Sequence, residues 1–305
     1  MKISSHNEWD PLRSVLVGTA TGANWPSHDP VFQRESERTL WKETPVPSGP
    51  VPQNIIDEAN RELDHLALTL YQLGVEVWRP TDRNFVETQG MYNYCPRDRL
   101  LVAGTTIVDP AMLYPCRDQE IECLQEVVDS AEQVLHMPRG DAFILDAANV
   151  CRMNDNWLYL VSQSGNVAAM EWLRENFPEK NIEACGFYSG VHIDSTIIPL
   201  DEGLVLLNGS RVNEENLPQC LRDWDRIYLN DCVARDFYQY PYASKWIGMN
   251  MLVVRPGLVI VDSIQETLIA ILHSKGIHTI PMPFTHSRTL GGGFHCTTLD
   301  LHREK

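Results

Sequence analysis

The run Leu290-Gly291-Gly292-Gly293-Phe294-His295-Cys296 carries the strongest chemical signal in the chain. Three consecutive glycines lose more backbone entropy on ordering than any other residues, so a chain keeps them where it must bend sharply or let another group approach closely. The run therefore reads as a device that presents Cys296. A presented thiol can attack an electrophilic carbon when a proton carrier and a carboxylate stand beside it, and His192-Ile193-Asp194 and Asp146 supply candidates for both. Histidine, with an ordinary pKa of about 6.5, can take and return a proton near neutral pH, and a carboxylate can orient its ring.

The composition bounds what such a site could serve. With 305 residues, 43% of them hydrophobic, the chain can bury a sizeable core, and the expectation is a single domain spanning 1–305. Cysteines at 95, 116, 123, 151, 185, 220, 232 and 296 form no Cys-x-x-Cys pair and have no histidine spacing typical of zinc, so neither a metal nor a cofactor is implied. A formal charge of −16 argues against a nucleic-acid surface and suits a cationic substrate. No apolar run approaches the roughly 18 residues of a membrane span. The opening Met1-Lys2-Ile3-Ser4-Ser5 has no secretory or transit character, so the expectation is a soluble cytoplasmic protein that does not engage a membrane.

Four segments share a design of two short apolar strands around a tight turn: Leu100 to Val108, Val150 to Val161, Thr196 to Leu207 and Met251 to Val261. Their turns, near Gly104, Asp155, Glu202 and Pro256, recur roughly every fifty residues, as in a modular fold. Helices are expected between them at Ile55 to Leu73, Glu120 to Leu135, Val167 to Asn176, Leu217 to Trp224 and Ile264 to Ser274. Gly74 and Gly276 read as caps before the strands at Val75 and Ile277. A fifth hairpin would be shared between Ser14-Val15-Leu16-Val17 and the strand after Cys296, closing a ring in which Asp98, Asp146, His192 and Cys296 converge. The proline-rich stretch Thr44 to Pro52 reads as a surface loop.

At these residues the chain resembles the amidinotransferase family. The motifs that carry the resemblance are Asn7-Glu8-Trp9-Asp10-Pro11-Leu12, Pro96-Arg97-Asp98, Leu145-Asp146-Ala147-Ala148, His192-Ile193-Asp194, Ser244-Lys245-Trp246 and the glycine run ending at Cys296. The resemblance implies an α/β fold, a five-bladed pseudo-symmetric propeller built from ββαβ modules. It also implies transfer of the amidino group of L-arginine, through a covalent amidino-cysteine, to a primary amine acceptor, with release of ornithine. By the same resemblance Cys296 is the nucleophile, His192 the general acid and base, and Asp146 the carboxylate beside that histidine. Asp98 and Asp194 hold the guanidinium, and Arg211 and Ser244 bind the amino-acid end of the donor. The family pattern leaves a homodimer open.

Departures from the glycine-using branch leave the acceptor open between glycine, another amino acid such as lysine, and an amine of a specialised biosynthetic pathway. Ser189 and Val191 replace an asparagine and a methionine at the acceptor edge, Thr297 stands where a tryptophan follows the cysteine, and the segment between Arg117 and Asp146 is short. Two rival readings remain at this level: a cysteine hydrolase of the same superfamily, resembling arginine deiminase, and a non-catalytic propeller that binds a partner. The remaining histidines, His295 included, and Cys95 read as turn or packing residues.

Overall fold

In the computed structural model, which describes residues 1–305 apart from Ser27, residues 39–44, Asp141, Ser189 and Val191, the apolar runs form five three-stranded sheets. One design recurs: an antiparallel hairpin whose second strand also runs parallel to a third. Leu101–Ala103 and Thr106–Asp109 make the hairpin of one sheet, and Gln133–His136 adds to it in parallel. The same order holds for Val150–Met153, Asn156–Leu160 and Asn181–Cys185, and again for Ile197–Asp201, Leu204–Asn208 and Asp225–Leu229. Leu252–Arg255, Leu258–Asp262 and His278–Met282 form the next. All four expected turns lie between paired strands, and each holds one residue at positive φ: Gly104, Asn154, Gly203 or Gly257. That conformation matches a tight turn to the twist of its strands.

The fifth sheet joins the two ends of the chain, as the sequence suggests. Leu12–Val17 pairs antiparallel with Thr298–Arg303 and parallel with Glu76–Trp78. The partner of Val17 is Thr298, two residues past the candidate nucleophile, so the N-terminal strand anchors the segment that carries Cys296. Single bridges then tie the N-terminal segment to three sheets, Ser4 to His302, Ser5 to Gly104 and Asn7 to Met153.

A parallel third strand needs a crossover, which is where the helices belong. Gln53–Gln72 crosses before Glu76–Trp78 and buries Ile55, Ile56, Ala59, Leu63, Leu66 and Leu70 in one cluster with Val15, Val17 and Val75. Each fully buried leucine there is worth about 1.5–3 kcal/mol. Gly74 follows at φ +82°, and Val167–Asn176 and Glu266–Ser274 serve the same purpose in their own units.

Two expected helices differ. Glu120 to Leu135 is not one helix: a 3-10 segment Pro115–Leu124 leads into a short helix Gln125–Asp129, and Gln133–His136 is already strand. The 3-10 spacing sets Glu120 against Arg117, and the chain must extend again to pair with Thr106–Asp109. Leu217 to Trp224 contains only the turn Gln219–Leu221. Upstream, the Asn213 and Asn216 side chains accept bonds from the backbone at Glu215 and Asn213, which favours turns over helix, and Pro218 lacks a donor. In the proline-rich stretch, Gly49–Pro50 pairs with Asn24–Trp25, while Thr44 lies outside the described residues. Among the described residues no helix is long and apolar enough to cross a membrane.

Candidate active site

The three glycines before Cys296 each meet a separate constraint. Gly291 adopts φ +81°, a conformation that costs a side-chain-bearing residue. At Gly292 a Cβ would stand 2.4 Å from Cys95 Sγ and 3.1 Å from Cys296 Cβ, and at Gly293 it would stand 2.7 Å from the Asn250 backbone oxygen. Neither position has room for one carbon. We expect Gly292→Ala to lower stability by about 1–3 kcal/mol through overpacking. Adding Cys95→Ala should recover most of the loss, since the buried sulfur is the atom met first; thermal unfolding of the two variants checks this.

The five sheets deliver their chemistry at equivalent places, just ahead of the first strand of each hairpin. Asp98 precedes Leu101–Ala103, Asp146 precedes Val150–Met153, and His192 and Asp194 precede Ile197–Asp201. Asn250 precedes Leu252–Arg255, and Cys296 precedes Thr298–Arg303. The fold brings these lead-in segments together. His192 Nε2 lies 3.1 Å from Asp146 Oδ2, and its Nδ1 lies 3.5 Å from Asp98 Oδ1. Cys296 Sγ lies 3.2 Å from Asp194 Oδ2, and its backbone N–H donates to Asn250 Oδ1 at 2.9 Å. Asn250 is the residue that sequence reasoning missed. Its place in the repeat, matching Asp98, Asp146 and Asp194, was the available signal.

Burial makes the electrostatics of the cluster strong, because little water screens it. A hydrogen bond with the Cys95 thiol, burial and the charge of Asp194 push the Cys296 thiol well above its ordinary range, against a bond with His192. Burial alone would pull His192 down, but Asp98 and Asp146 outweigh it and raise the ring well above its ordinary value. Both shifts favour the protonated forms, a thiol beside an imidazolium. Burial likewise pushes Asp98 up, only partly offset by His192 and Arg117. Asp194 resists the same burial penalty because His295, His192 and the Cys296 thiol hold its carboxylate form, leaving it at about 2.

Three more side chains that the sequence reading passed over complete the site. Arg117 donates to Asp98 Oδ2 at 2.8 Å while Glu120 holds its other edge, so the Asp98 carboxylate is fixed in orientation. Cys95, taken as packing, touches the Cys296 thiol. His295, taken as a turn residue, bridges Asp194 and Glu8 at 2.9 Å and 3.2 Å.

Among the described residues, those assigned to the donor's amino-acid end make no hydrogen bond with Cys296, His192 or Asp98, and each is held by its own neighbours. The Arg211 guanidinium sits 4.1 Å over the Tyr188 ring and donates to Thr196 Oγ1 at 2.8 Å, beside the turn that carries Asp194. Ser244 caps the short helix Lys245–Met249 through a 3.3 Å bond from the Trp246 N–H. Ser189 and Val191 lie outside the described residues.

No protein-family model matches the chain. Over 336 aligned residues it is 41% identical to inosamine-phosphate amidinotransferase 1 of Streptomyces griseus, covering 99% of this chain and 97% of that protein. The solved inosamine-phosphate amidinotransferase from Streptomyces griseus superposes with a TM-score of 0.93 at 39% identity, over 99% of this chain and 97% of that one. L-arginine:L-lysine amidinotransferase of Pseudomonas savastanoi pv. phaseolicola is 28% identical, over 99% and 94%. Likeness of this extent along the whole length, in the same α/β fold, means that the chain belongs to the amidinotransferase family.

Proposed function

We propose that the chain takes the amidino group of L-arginine onto Cys296 and passes it to the amino group of an inosamine phosphate, releasing ornithine after the first step. One observation carries the donor half. Among the described residues Asp98 Oδ1 is a buried carboxylate oxygen that accepts no hydrogen bond, and it stands in the same cluster as Asp194 and Cys296. The His192 ring faces that oxygen at 3.5 Å without a hydrogen bond, so the oxygen keeps acceptor capacity that a planar guanidinium spanning Asp98 and Asp194 would use in charge-assisted bonds. The five sheets are read here as blades around that common site, and Arg211 and Ser244 as the groups that take the α-carboxylate and α-amine of the donor.

The electrostatics then assign the steps. The arriving cation offsets the charge of Asp194 beside the sulfur, so the thiol gives up its proton to solvent, and the thiolate forms the Sγ–Cζ bond. As the Cζ–Nε bond breaks, the His192 imidazolium gives its proton to the departing nitrogen and ornithine leaves. The neutral His192 accepts the proton of the incoming amine, whose nitrogen attacks the same carbon; the Sγ–Cζ bond breaks, and the Cys296 thiolate regains its proton from solvent. Asp146 keeps the ring aimed throughout.

The acceptor reading rests on the relatives' identities and on the sequence departures at Ser189, Val191 and Thr297. With arginine saturating, kcat/KM for an inosamine phosphate is expected to exceed that for glycine by at least about 100-fold, since a site built for a polar substrate rejects one lacking its partners. Lysine should fall between them. A preference for glycine over every larger amine would overturn the acceptor assignment. Citrulline in place of ornithine would instead identify a hydrolase.

A further inference from the structure

The N-terminal motif Asn7-Glu8-Trp9-Asp10-Pro11-Leu12 has no part in the steps above, yet Glu8 reaches the catalytic cluster. Its side chain is 6% exposed, and both oxygens are engaged. Oε1 accepts from Arg152 Nε at 2.9 Å, and Oε2 accepts from Arg152 Nη2 at 3.1 Å and from Arg97 Nη1 at 3.3 Å. Oε2 also faces His295 Nε2 at 3.2 Å, and the other ring nitrogen, Nδ1, lies 2.9 Å from Asp194 Oδ2. A carboxylate thus stands at each nitrogen, and the ring is held from both sides. Asp194 Oδ2 is the oxygen 3.2 Å from Cys296 Sγ. A continuous path thus runs from the N-terminal segment to the nucleophile.

The His295 side chain is not needed to shape its own turn. That turn is held by the backbone: the His295 N–H donates to the Asn250 oxygen, and the His295 oxygen accepts from Arg97 Nε at 2.8 Å. The same arginines that hold Glu8 also hold Asp300, at 2.6 Å from Arg97 and 3.1 Å from Arg152, on the strand that follows Cys296. Glu8 and Cys296 are thereby fixed to one rigid frame. We propose that Glu8 and His295 act as a positioning relay that pins the Asp194 oxygen facing Cys296, leaving the other oxygen for the guanidinium. Freed of His295, Asp194 could turn about its last torsion, and the attack geometry would be lost. The relay rests on the proposed roles of Asp194 and Cys296 in the donor half-reaction.

The substitutions His295→Asn, His295→Gln and Glu8→Gln separate the two links. Asparagine places a donor near the position of Nδ1 and keeps the bond to Asp194, whereas glutamine places one near Nε2 and keeps only the bond to Glu8. Each purified variant is pulsed with arginine in the absence of acceptor. Intact-mass spectrometry follows the amidino adduct, scaled to the fraction of titratable Cys296. At saturating arginine His295→Gln is expected to form the adduct about 10–100-fold more slowly, in line with a misaligned reacting pair, with the arginine half-saturation raised. His295→Asn should stay within about tenfold of wild type, and Glu8→Gln should fall between the two. A purely structural role predicts wild-type rate constants in whatever fraction is folded, and that result overturns the relay, as does equal slowing in the Asn and Gln variants. If Glu8→Gln does not fold, the two His295 variants decide alone. Alkylation of Cys296 by iodoacetamide, located by peptide mapping, provides a readout that needs no arginine chemistry; with Asp194 no longer held against the sulfur the thiolate forms more readily, so the rate should rise in the same order of variants. Wild-type protein that forms no adduct while this order holds would refute the proposed function and leave the relay standing; equal alkylation rates in wild type and all three variants, with normal wild-type adduct, would do the reverse.

Discussion

Cys296→Ala is expected to gain no mass from an arginine pulse, while the wild-type chain gains one amidino group on Cys296 alone. The Cys296 thiol is buried, with only 2% of the residue exposed, and Cys95, burial and Asp194 all favour its protonated form. It should be a poor nucleophile until a cation binds beside it, so the adduct should depend on a guanidinium substrate and saturate with it. Because nucleophile and proton carrier act as a unit, removing the sulfur is expected to cost on the order of 10⁴-fold or more in turnover. Peptide mapping checks the location. Cys95→Ser serves as the control and should still form the adduct, since its thiol only touches the nucleophile. An adduct on Cys95, or unchanged turnover in Cys296→Ala, would remove Cys296 from the mechanism.

The second large effect is expected for Asp98→Asn. The substitution removes one charged arm of the proposed clamp and one of the two carboxylates beside His192. A charge-assisted bond is worth about 1.5–3 kcal/mol, or about 10–150-fold, and lost alignment of the reacting carbon should carry the fall in kcat/KM to about 10²–10³-fold. The fold should persist, because Arg117 keeps its bonds to Glu120. A second signature is the pH profile. Asp98 and Asp146 hold the His192 ring above its ordinary value against burial, so its acid form persists to high pH. Without Asp98 that value falls, the imidazolium is lost at a lower pH, and the alkaline limb of kcat should move toward neutrality. Wild-type kcat/KM with an unshifted profile in a folded Asp98→Asn protein would leave the guanidinium site elsewhere.

These expectations draw on different depths of the chain. The hairpins at Leu101, Val150, Ile197 and Leu252 were legible because strand alternation and turn residues are local, and each turn holds a residue suited to positive φ. The glycine run likewise announced the presentation of Cys296, though not what the glycines avoid. Helical periodicity was followed in Gln53–Gln72, where the apolar stripe is long. It failed between Glu120 and Leu135, where pairing with Thr106–Asp109 and the hold of Glu120 on Arg117 override local preference.

The sequence by itself determined the strand modules, the glycine run that carries Cys296 and, through its motifs, the candidate roles of Asp98, Asp146, His192, Asp194 and Cys296. Only the tertiary structure decided how those groups stand toward one another and what holds them. The bond from Cys296 to Asn250 joins residues 46 apart in the chain, and the contact between His295 and Glu8 joins residues 287 apart. No periodicity or spacing encodes such pairs, because each depends on how the sheets are brought together when the two ends of the chain share one sheet. A lone glutamate near the N-terminus and a histidine beside a cysteine are individually unremarkable. Burial in a common low-dielectric cluster makes them part of one site, since there every charge must find a partner.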